Sequence, residues 1–207
     1  MRQVPLALLL ACLSLPVAQA QNSFGAAPPA AAPQTPSPGA APVPVAGAAA
    51  DTTGQVERQD FGVSPKSELH AGAMHGPTPA SIPGGKVITT QGLLELRRNA
   101  QARVMVFDVL GGQEALPGAL AAVPAHRPGT FDDATQREFR QYLQKVTQGR
   151  KDTPLVFYCQ STQCWMSYNA SLRAIRMGYT QVLWYRGGLD AWKSAGQAVQ
   201  IPQAAAR

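Results

Sequence analysis

The chain has 207 residues, a formal net charge of +6 and 14% charged residues. Residues 1–20 read as an export signal and residues 21–50 have few apolar side chains to bury. The remaining 157 residues suffice for one domain, which excludes a multidomain enzyme. Its 18 Lys and Arg residues are scattered singly or in pairs rather than grouped in a stripe, which argues against nucleic-acid binding.

The first 20 residues predict an export signal. Arg2 supplies a positive start, residues 4–15 form an apolar run too short to span a bilayer, and residues 18–20 form a small-x-small cleavage site. We therefore expect a periplasmic protein that begins at Gln21 after cleavage of a signal peptide over residues 1–20. The alternative is a lipoprotein site at Cys12, which would anchor the chain to a membrane.

Two segments poor in large apolar residues follow the signal. Residues 21–54 predict a disordered linker, since residues 21–50 carry no charge and consist mostly of Ala, Pro and Gly. Residues 55–85 predict an extended N-terminal arm that wraps the domain. Within the arm, His70 and His75 have no third ligand nearby and are interpreted as surface residues, so no metal site is expected.

From residue 86 to residue 200, short apolar runs alternate with helical patterns. The predicted strands cover residues 87–89, 104–107, 155–158 and 182–185. The predicted helices start with a cap at Thr90, with Asp133, around Tyr168 and at Leu189. Strands separated by helices form a mainly parallel sheet with helices on both faces, so we predict a three-layer α/β domain with its chemistry at the carboxyl ends of the strands. Residues 201–207 are interpreted as a tail.

The most informative stretch is Phe157-Tyr-Cys-Gln-Ser-Thr-Gln-Cys-Trp-Met-Ser167, between a buried strand and a helix. A cysteine there lies at a helix N-terminus, where unpaired N–H groups and the helix dipole favour a thiolate and a bound anion. The candidates for an anion-binding cradle are the loop residues Gln160, Ser161, Thr162 and Gln163. By themselves, the residues fit equally well a structural disulfide between Cys159 and Cys164.

Six landmarks, in chain order, resemble those of rhodanese domains. They are Val87-Ile-Thr-Thr-Gln-Gly-Leu93, Val104-Met-Val-Phe-Asp-Val109, Leu116-Pro-Gly-Ala119, Leu155-Val-Phe-Tyr-Cys159, Gly178-Tyr179 and Val182-Leu-Trp-Tyr-Arg-Gly-Gly-Leu-Asp-Ala-Trp192. The pair Cys164-Trp165, the export signal and the arm further resemble the periplasmic Cys-x-x-Cys-Trp proteins associated with quinoprotein (PQQ-dependent) alcohol catabolism. Here four residues, rather than two, separate the cysteines.

The rhodanese resemblance implies a sulfurtransferase without a cofactor. Cys159 would take sulfane sulfur from an anion such as thiosulfate as a persulfide, with Cys164 as a resolving thiol and Trp165 lining the substrate pocket. An active rhodanese usually has Arg or Lys five residues after the nucleophile, where this chain has Cys164. Arg186, after the last strand, is the candidate replacement; the alternative is a solvated loop arginine.

Four other residues receive structural interpretations. In related domains the position of Asp108 mainly fixes nearby backbone. Tyr158 is interpreted either as a pocket wall or as core, and Trp184 and Trp192 as packing residues.

Two other functions fit the same sequence. One is a thiol/disulfide redox protein in which Cys159 and Cys164 exchange electrons with a periplasmic partner. The other is a non-catalytic accessory module of a periplasmic quinoprotein dehydrogenase system. A disulfide requires the two Cα atoms to come within about 7 Å. At a helix N-terminus we expect that bond to be reversible, because the released thiolate is stabilised.

Overall fold

The computed structural model describes residue 24 and residues 47–202, with side chains described for residue 24 and for residues 53–202. The helices are α1 (Gly47–Arg58), α2 (Thr90–Arg98), α3 (Ala134–Thr147), α4 (Met166–Arg176) and α5 (Gly188–Ser194), with a 3-10 helix at Val123–His126. The strands are β1 (Lys86–Val87), β2 (Met105–Asp108), β3 (Leu120–Ala121), β4 (Leu155–Tyr158) and β5 (Val182–Tyr185). The predicted signal peptide, Cys12, Gln21, most of the predicted linker and residues 203–207 lie outside the described residues.

The five strands form one parallel sheet in the order β1-β5-β4-β2-β3. The central strand β4 pairs with β2 and β5, so that Tyr158 lies opposite both Asp108 and Tyr185. Because parallel strands end at the same edge of a sheet, Cys159 follows β4 beside the residues that follow β2 and β5. The predicted α/β fold class is confirmed.

Each face of the sheet has its own core. Leu155 and Phe157 of β4 pack with residues of α3 and α4, whereas Val156 and Tyr158 pack with residues of α2 and α5. This division follows from the alternation of side chains along a strand, and burial on both faces explains the uninterrupted apolar sequence. Of the two interpretations of Tyr158, the structure supports the core.

Two helix starts show where local signals succeed and fail. The carboxylate of Asp133 caps α3 by accepting from the N–H of Gln136 at 2.6 Å, as predicted. The prediction that Thr90 caps α2 was wrong, since Thr89 is the N-cap and Thr90 is the first helical residue. The hydroxyl of Thr90 is used elsewhere, because it donates to a carboxylate oxygen of Glu57 at 2.7 Å.

The linker prediction was wrong at both ends of the segment. Residues 47–54 belong to α1, and Glu57 in the last turn of that helix is 1% exposed. Phe24 stacks on Phe139 and Tyr142 of α3, with ring centroids 5.2 and 5.4 Å apart. Low apolar content therefore did not prevent single side chains from docking on the domain.

The arm was predicted to start at residue 55, but residues 55–58 are the last turn of α1. Residues 59–85, called the arm below, contain no helix or paired strand longer than one bridge. Strand β3 lies in a segment predicted to be a loop, because a two-residue strand is too short to show alternation. In the part of the chain that the structure describes, no helix is long and apolar enough to cross a membrane.

Candidate functional site

Cys159 and Cys164 form a disulfide across the loop between β4 and α4. Their Cα atoms are 6.4 Å apart, within the distance that the sequence analysis required. The two residues are 1% and 0% exposed. In this state neither sulfur is a free nucleophile, so any thiolate chemistry must begin with reduction of the bond and exposure of the loop.

The Sγ atom of Cys159 has two polar neighbours. The Oγ of Ser167 and the carbonyl oxygen of Cys164 each lie 3.2 Å from it. A disulfide sulfur has no proton to give, so the Ser167 hydroxyl is the donor to Cys159. The same Oγ accepts from the indole N–H of Trp184 at 3.0 Å. Trp184 therefore does more than pack, since it orients a hydroxyl that faces the sulfur.

In the predicted cradle, the side chains of Gln160 and Ser161 bond to protein neighbours. The side-chain amide of Gln160 donates to the carboxylate of Asp190 at the start of α5. The hydroxyl of Ser161 accepts from the N–H of Gln163 at 3.2 Å, and the Gln163 side chain is exposed. None of these contacts gathers donors around a vacant anion position.

The arm occupies backbone groups of the same loop. Residues 74–76 run antiparallel to residues 163–165 and make two backbone hydrogen bonds with them, each 2.8 Å long. One of these uses the N–H of Trp165, which directly precedes α4. The hydroxyl of Thr78 donates to the carbonyl oxygen of Thr162 at 2.6 Å. The arm thus closes the loop that the sequence analysis interpreted as an open cradle.

Arg186 is directed to the arm and is 1% exposed, so its interpretation as a solvated loop arginine was wrong. Its Nε and Nη2 donate to the hydroxyl and carbonyl oxygens of Thr78 at 3.0 and 2.9 Å. Its Nη1 donates to the carbonyl oxygens of Glu57 and Gln59 at 2.9 and 2.7 Å. Arg186 is therefore linked to the cysteine loop only indirectly, through the Thr78 hydroxyl that also contacts Thr162.

The arm is held at the start of α4 by three residues, which we call the α4 seat. They are the N-cap residue Trp165 and, in the first turn, Tyr168 and Asn169. The Trp165 indole stacks on His70 with ring centroids 4.1 Å apart. The Tyr168 hydroxyl accepts from the N–H of Lys66 at 2.9 Å and donates to its carbonyl oxygen at 2.7 Å. Asn169 bonds to both backbone groups of His70, at 2.8 and 2.9 Å. Trp165 thus faces the arm rather than an open pocket.

At the end of β2, Asp108 fixes nearby backbone, as interpreted. Its Oδ1 accepts from the N–H groups of Leu110 and Gly111 at 2.8 and 3.1 Å. Burial raises the pKa of this carboxyl, and those hydrogen bonds oppose the rise. Among the described residues, no group of three or more His, Cys, Asp or Glu side chains is arranged to hold a metal ion.

Four residues of this site were not predicted from the sequence: Ser167, Thr78, Glu57 and Asn169. Asn169 and Ser167 lie in the first turn of α4 and are 0% and 1% exposed, so two polar residues in a buried helix were the available signal. Thr78 and Glu57 had no local signal, because their partners Thr162 and Thr90 are 84 and 33 residues away in sequence.

A protein-family model described as "Rhodanese-like domain" matches residues 90–195, just over half of the chain. A comparison with curated proteins found no match. Among similar solved structures, the Rhodanese-like domain of an Anabaena sp. protein is 16% identical with a TM-score of 0.42, over 56% of this chain and 78% of that one. A thiosulfate sulfurtransferase from Pseudomonas aeruginosa is 18% identical with a TM-score of 0.43, over 58% of this chain and 21% of that one.

Proposed function

The chain belongs to the rhodanese-like domain family, and from that premise we propose that it is a sulfurtransferase that carries sulfane sulfur as a persulfide on Cys159. The observation that carries the proposal is the position of Cys159, directly after the central strand β4 and before the 11-residue helix α4. The N-terminal end of such a helix stabilises an anionic sulfur.

The proposed reaction starts from the reduced pair. The Cys159 thiolate attacks the outer sulfur of thiosulfate, a new S–S bond forms on Cys159, and sulfite leaves with the electron pair of the broken bond. In the absence of another acceptor, the Cys164 thiolate attacks Cys159 Sγ, which re-forms the disulfide and releases the carried sulfur as hydrosulfide. Cys164 is thereby the resolving thiol.

Substrate entry requires the arm to move, because Cys159 and Cys164 are at most 1% exposed. Movement of residues 74–78 would free the N–H of Trp165 and the Nε and Nη2 groups of Arg186, which bond to this part of the arm. We propose these two groups, with the polar loop residues, as the anion-binding elements of the open state.

Intact mass tests the proposal. After reduction and removal of the reductant, thiosulfate should add one sulfur atom to the wild-type protein or to Cys164→Ser, and none to Cys159→Ser. The Cys164→Ser variant should retain the added sulfur longer, because its resolving thiol is gone. Sulfur loading that survives Cys159→Ser would reject Cys159 as the carrier.

The disulfide favours a second candidate, a thiol/disulfide redox protein that exchanges electrons with a periplasmic partner. Redox titration with alkylation trapping separates the two functions. The redox candidate requires a reduction potential above about −300 mV, where ordinary structural disulfides lie. If this bond resists mild reductant, the pair is structural.

The closed arm favours a third candidate, an accessory module that binds a periplasmic quinoprotein dehydrogenase without catalysis of its own. This candidate predicts that the purified protein neither loads sulfur nor cycles its disulfide, yet binds such a dehydrogenase. All three candidates include export, which predicts a mature protein that starts at Gln21 in the periplasmic fraction. A lipid-modified Cys12 at the N-terminus would replace that expectation with a membrane anchor.

A further inference from the structure

We propose that Ser167 is a catalytic residue whose hydroxyl, oriented by Trp184, makes Cys159 rather than Cys164 the thiolate of the pair. The inference rests on the proposed sulfur chemistry at Cys159, and it names the group that gives two neighbouring cysteines different roles.

The direction of each hydrogen bond follows from the number of protons available. An indole N–H can only donate, so the Trp184 bond of 3.0 Å occupies an acceptor position on the Ser167 oxygen. The single hydroxyl proton of Ser167 is then directed at Cys159 Sγ, 3.2 Å away. Ser167 and Trp184 are 1% and 0% exposed, so bulk water does not compete for these groups.

A second neighbour of Cys159 acts in the opposite sense. The carbonyl oxygen of Cys164, also 3.2 Å from Cys159 Sγ, can accept a hydrogen bond from a neutral thiol but repels a thiolate. The Ser167 hydroxyl donates to a thiolate and favours it. Within the described part of the chain, no charged side chain hydrogen-bonds to either sulfur, so Ser167 is the side chain that tips this balance toward the thiolate.

The two sulfurs differ in whether a side chain donates a hydrogen bond to them. In the part of the chain that the structure describes, no side chain hydrogen-bonds to Cys164 Sγ. When an external thiolate attacks Cys164 Sγ, the disulfide breaks and its electron pair passes to Cys159 Sγ, where Ser167 stabilises the leaving thiolate. The mixed disulfide then lies on Cys164, and Cys159 is free to attack a sulfur donor.

The first test measures thiolate formation in the fully reduced Cys164→Ser protein. Ultraviolet absorbance is titrated against pH, and the same titration of a protein with both cysteines replaced by Ser is subtracted. Ser167→Ala should raise the midpoint of Cys159 thiolate formation by about one to two pH units, the size expected for loss of a hydrogen bond to a charged group. Trp184→Phe should shift the midpoint the same way by less, because the hydroxyl remains but loses its orienting partner.

Ser171→Ala is the matched control. The Ser171 hydroxyl is buried one turn along α4 and donates to the carbonyl oxygen of Ser167 at 2.8 Å, without a hydrogen bond to sulfur. The midpoint of Cys159 thiolate formation in Ser171→Ala should equal that of the parent, the Cys164→Ser protein without a second substitution. If Ser167→Ala also titrates like the parent, the proposal is overturned. If the parent fails to load sulfur but Ser167→Ala still shifts the midpoint, the sulfurtransferase function fails and the role of Ser167 stands.

The second test does not depend on titration and uses the protein with both cysteines. One equivalent of glutathione opens the disulfide, the reaction is quenched with acid, and the adduct is located by peptide mapping. We expect glutathione on Cys164 in the wild-type protein and in Ser171→Ala, and loss of that preference in Ser167→Ala. A wild-type adduct on Cys159 would contradict the proposal even if the titration variants fold poorly.

Discussion

Two of the attachments that hold the arm use different chemistry. At the α4 seat, Trp165, Tyr168 and Asn169 bind it through an aromatic stack and hydrogen bonds between neutral groups. At the end of β5, a buried guanidinium, Arg186, makes three hydrogen bonds to the arm and a fourth to the carbonyl oxygen of Glu57 in α1. A buried charge is much more costly to leave unpaired than a neutral group. We therefore expect the β5 contact to contribute more to arm docking, and the α4 seat to set where along α4 the arm lies.

The cysteine loop lies between these two attachments. The hydroxyl of Thr78 links the Arg186 attachment to the loop, since it accepts from Arg186 and donates to the carbonyl oxygen of Thr162. On the other side, the arm pairs with residues 163–165, which lead into the α4 seat. Weakening either attachment should therefore increase access to the disulfide as well as destabilise the arm.

The largest expected effect is that of Arg186→Met. This variant leaves the buried carbonyl oxygens of Glu57 and Thr78, and the carbonyl oxygen of Gln59, without their donor, so arm docking should weaken by about 3 kcal/mol or more. Trypsin should then cleave rapidly at exposed Lys66, and mild reductant should open the disulfide faster. The exposed residue Arg98, changed to Met, is the control and should behave like wild type. If Lys66 in Arg186→Met resists trypsin as well as it does in wild type, the Arg186 contact is not the larger contribution to arm docking.

Asn169→Ala tests the α4 seat. Asn169 is fully buried and makes three hydrogen bonds, to the N–H and carbonyl of His70 and to the carbonyl of His126, at 2.8, 2.9 and 2.9 Å. Their loss should lower the free energy of unfolding by about 2 to 3 kcal/mol, measured by urea denaturation. A larger loss here than in Arg186→Met would reverse the proposed order of the two attachments.

Tyr168→Phe is a smaller change at the same seat. It removes the hydroxyl that pairs with Lys66 but keeps the ring against Trp165 and Trp184, so we expect a loss of about 1 kcal/mol. The matched control is Tyr142→Phe, since the Tyr142 hydroxyl is buried and has no hydrogen-bond partner in the described part of the chain. Its removal should be neutral or slightly stabilising. If Tyr168→Phe and Tyr142→Phe lower the free energy of unfolding equally, the Tyr168 hydroxyl does not help to hold the arm.

The smallest effect concerns pH and Glu57, whose pKa is raised by burial, against opposing hydrogen bonds from Thr90. A carboxyl with a raised folded pKa stabilises the fold fully below its ordinary value of 4.5, and that contribution is lost as pH rises through the folded value. Glu57→Gln should therefore remove part of the decline in stability that sets in as the pH rises above the ordinary value of 4.5. The contribution of Asp108 has the same sign, occurs in both proteins and cancels in their difference. Parallel profiles for the two proteins would contradict the prediction.

Some of the fold could be predicted from local patterns alone. The bounds of β4 and β5 agree with the apolar runs Leu155–Tyr158 and Val182–Tyr185. The Asp133 cap agrees with its signal at the start of α3. These features depend on residues within a few positions of one another, so the sequence displays them directly.

The candidate site was only partly predictable for the same reason. The sequence placed Cys159 and Cys164 at the end of a buried strand and before a helix, and it allowed the distance that their disulfide needs. It also pointed to Arg186, but the sequence distance of 127 residues from Arg186 to Gln59 hides the partner that decides what the arginine does.

The sequence by itself determined the strand and helix pattern, the parallel sheet and the position of Cys159, because periodicity, helix caps and turns are local properties of the chain. Only the tertiary structure decided that α1 is helical, that the arm closes the cysteine loop, and that Ser167 faces the sulfur. These features depend on buried hydrogen bonds between groups far apart in sequence. Such a bond forms because folding removes both groups from water together, and no local pattern records which two groups those are.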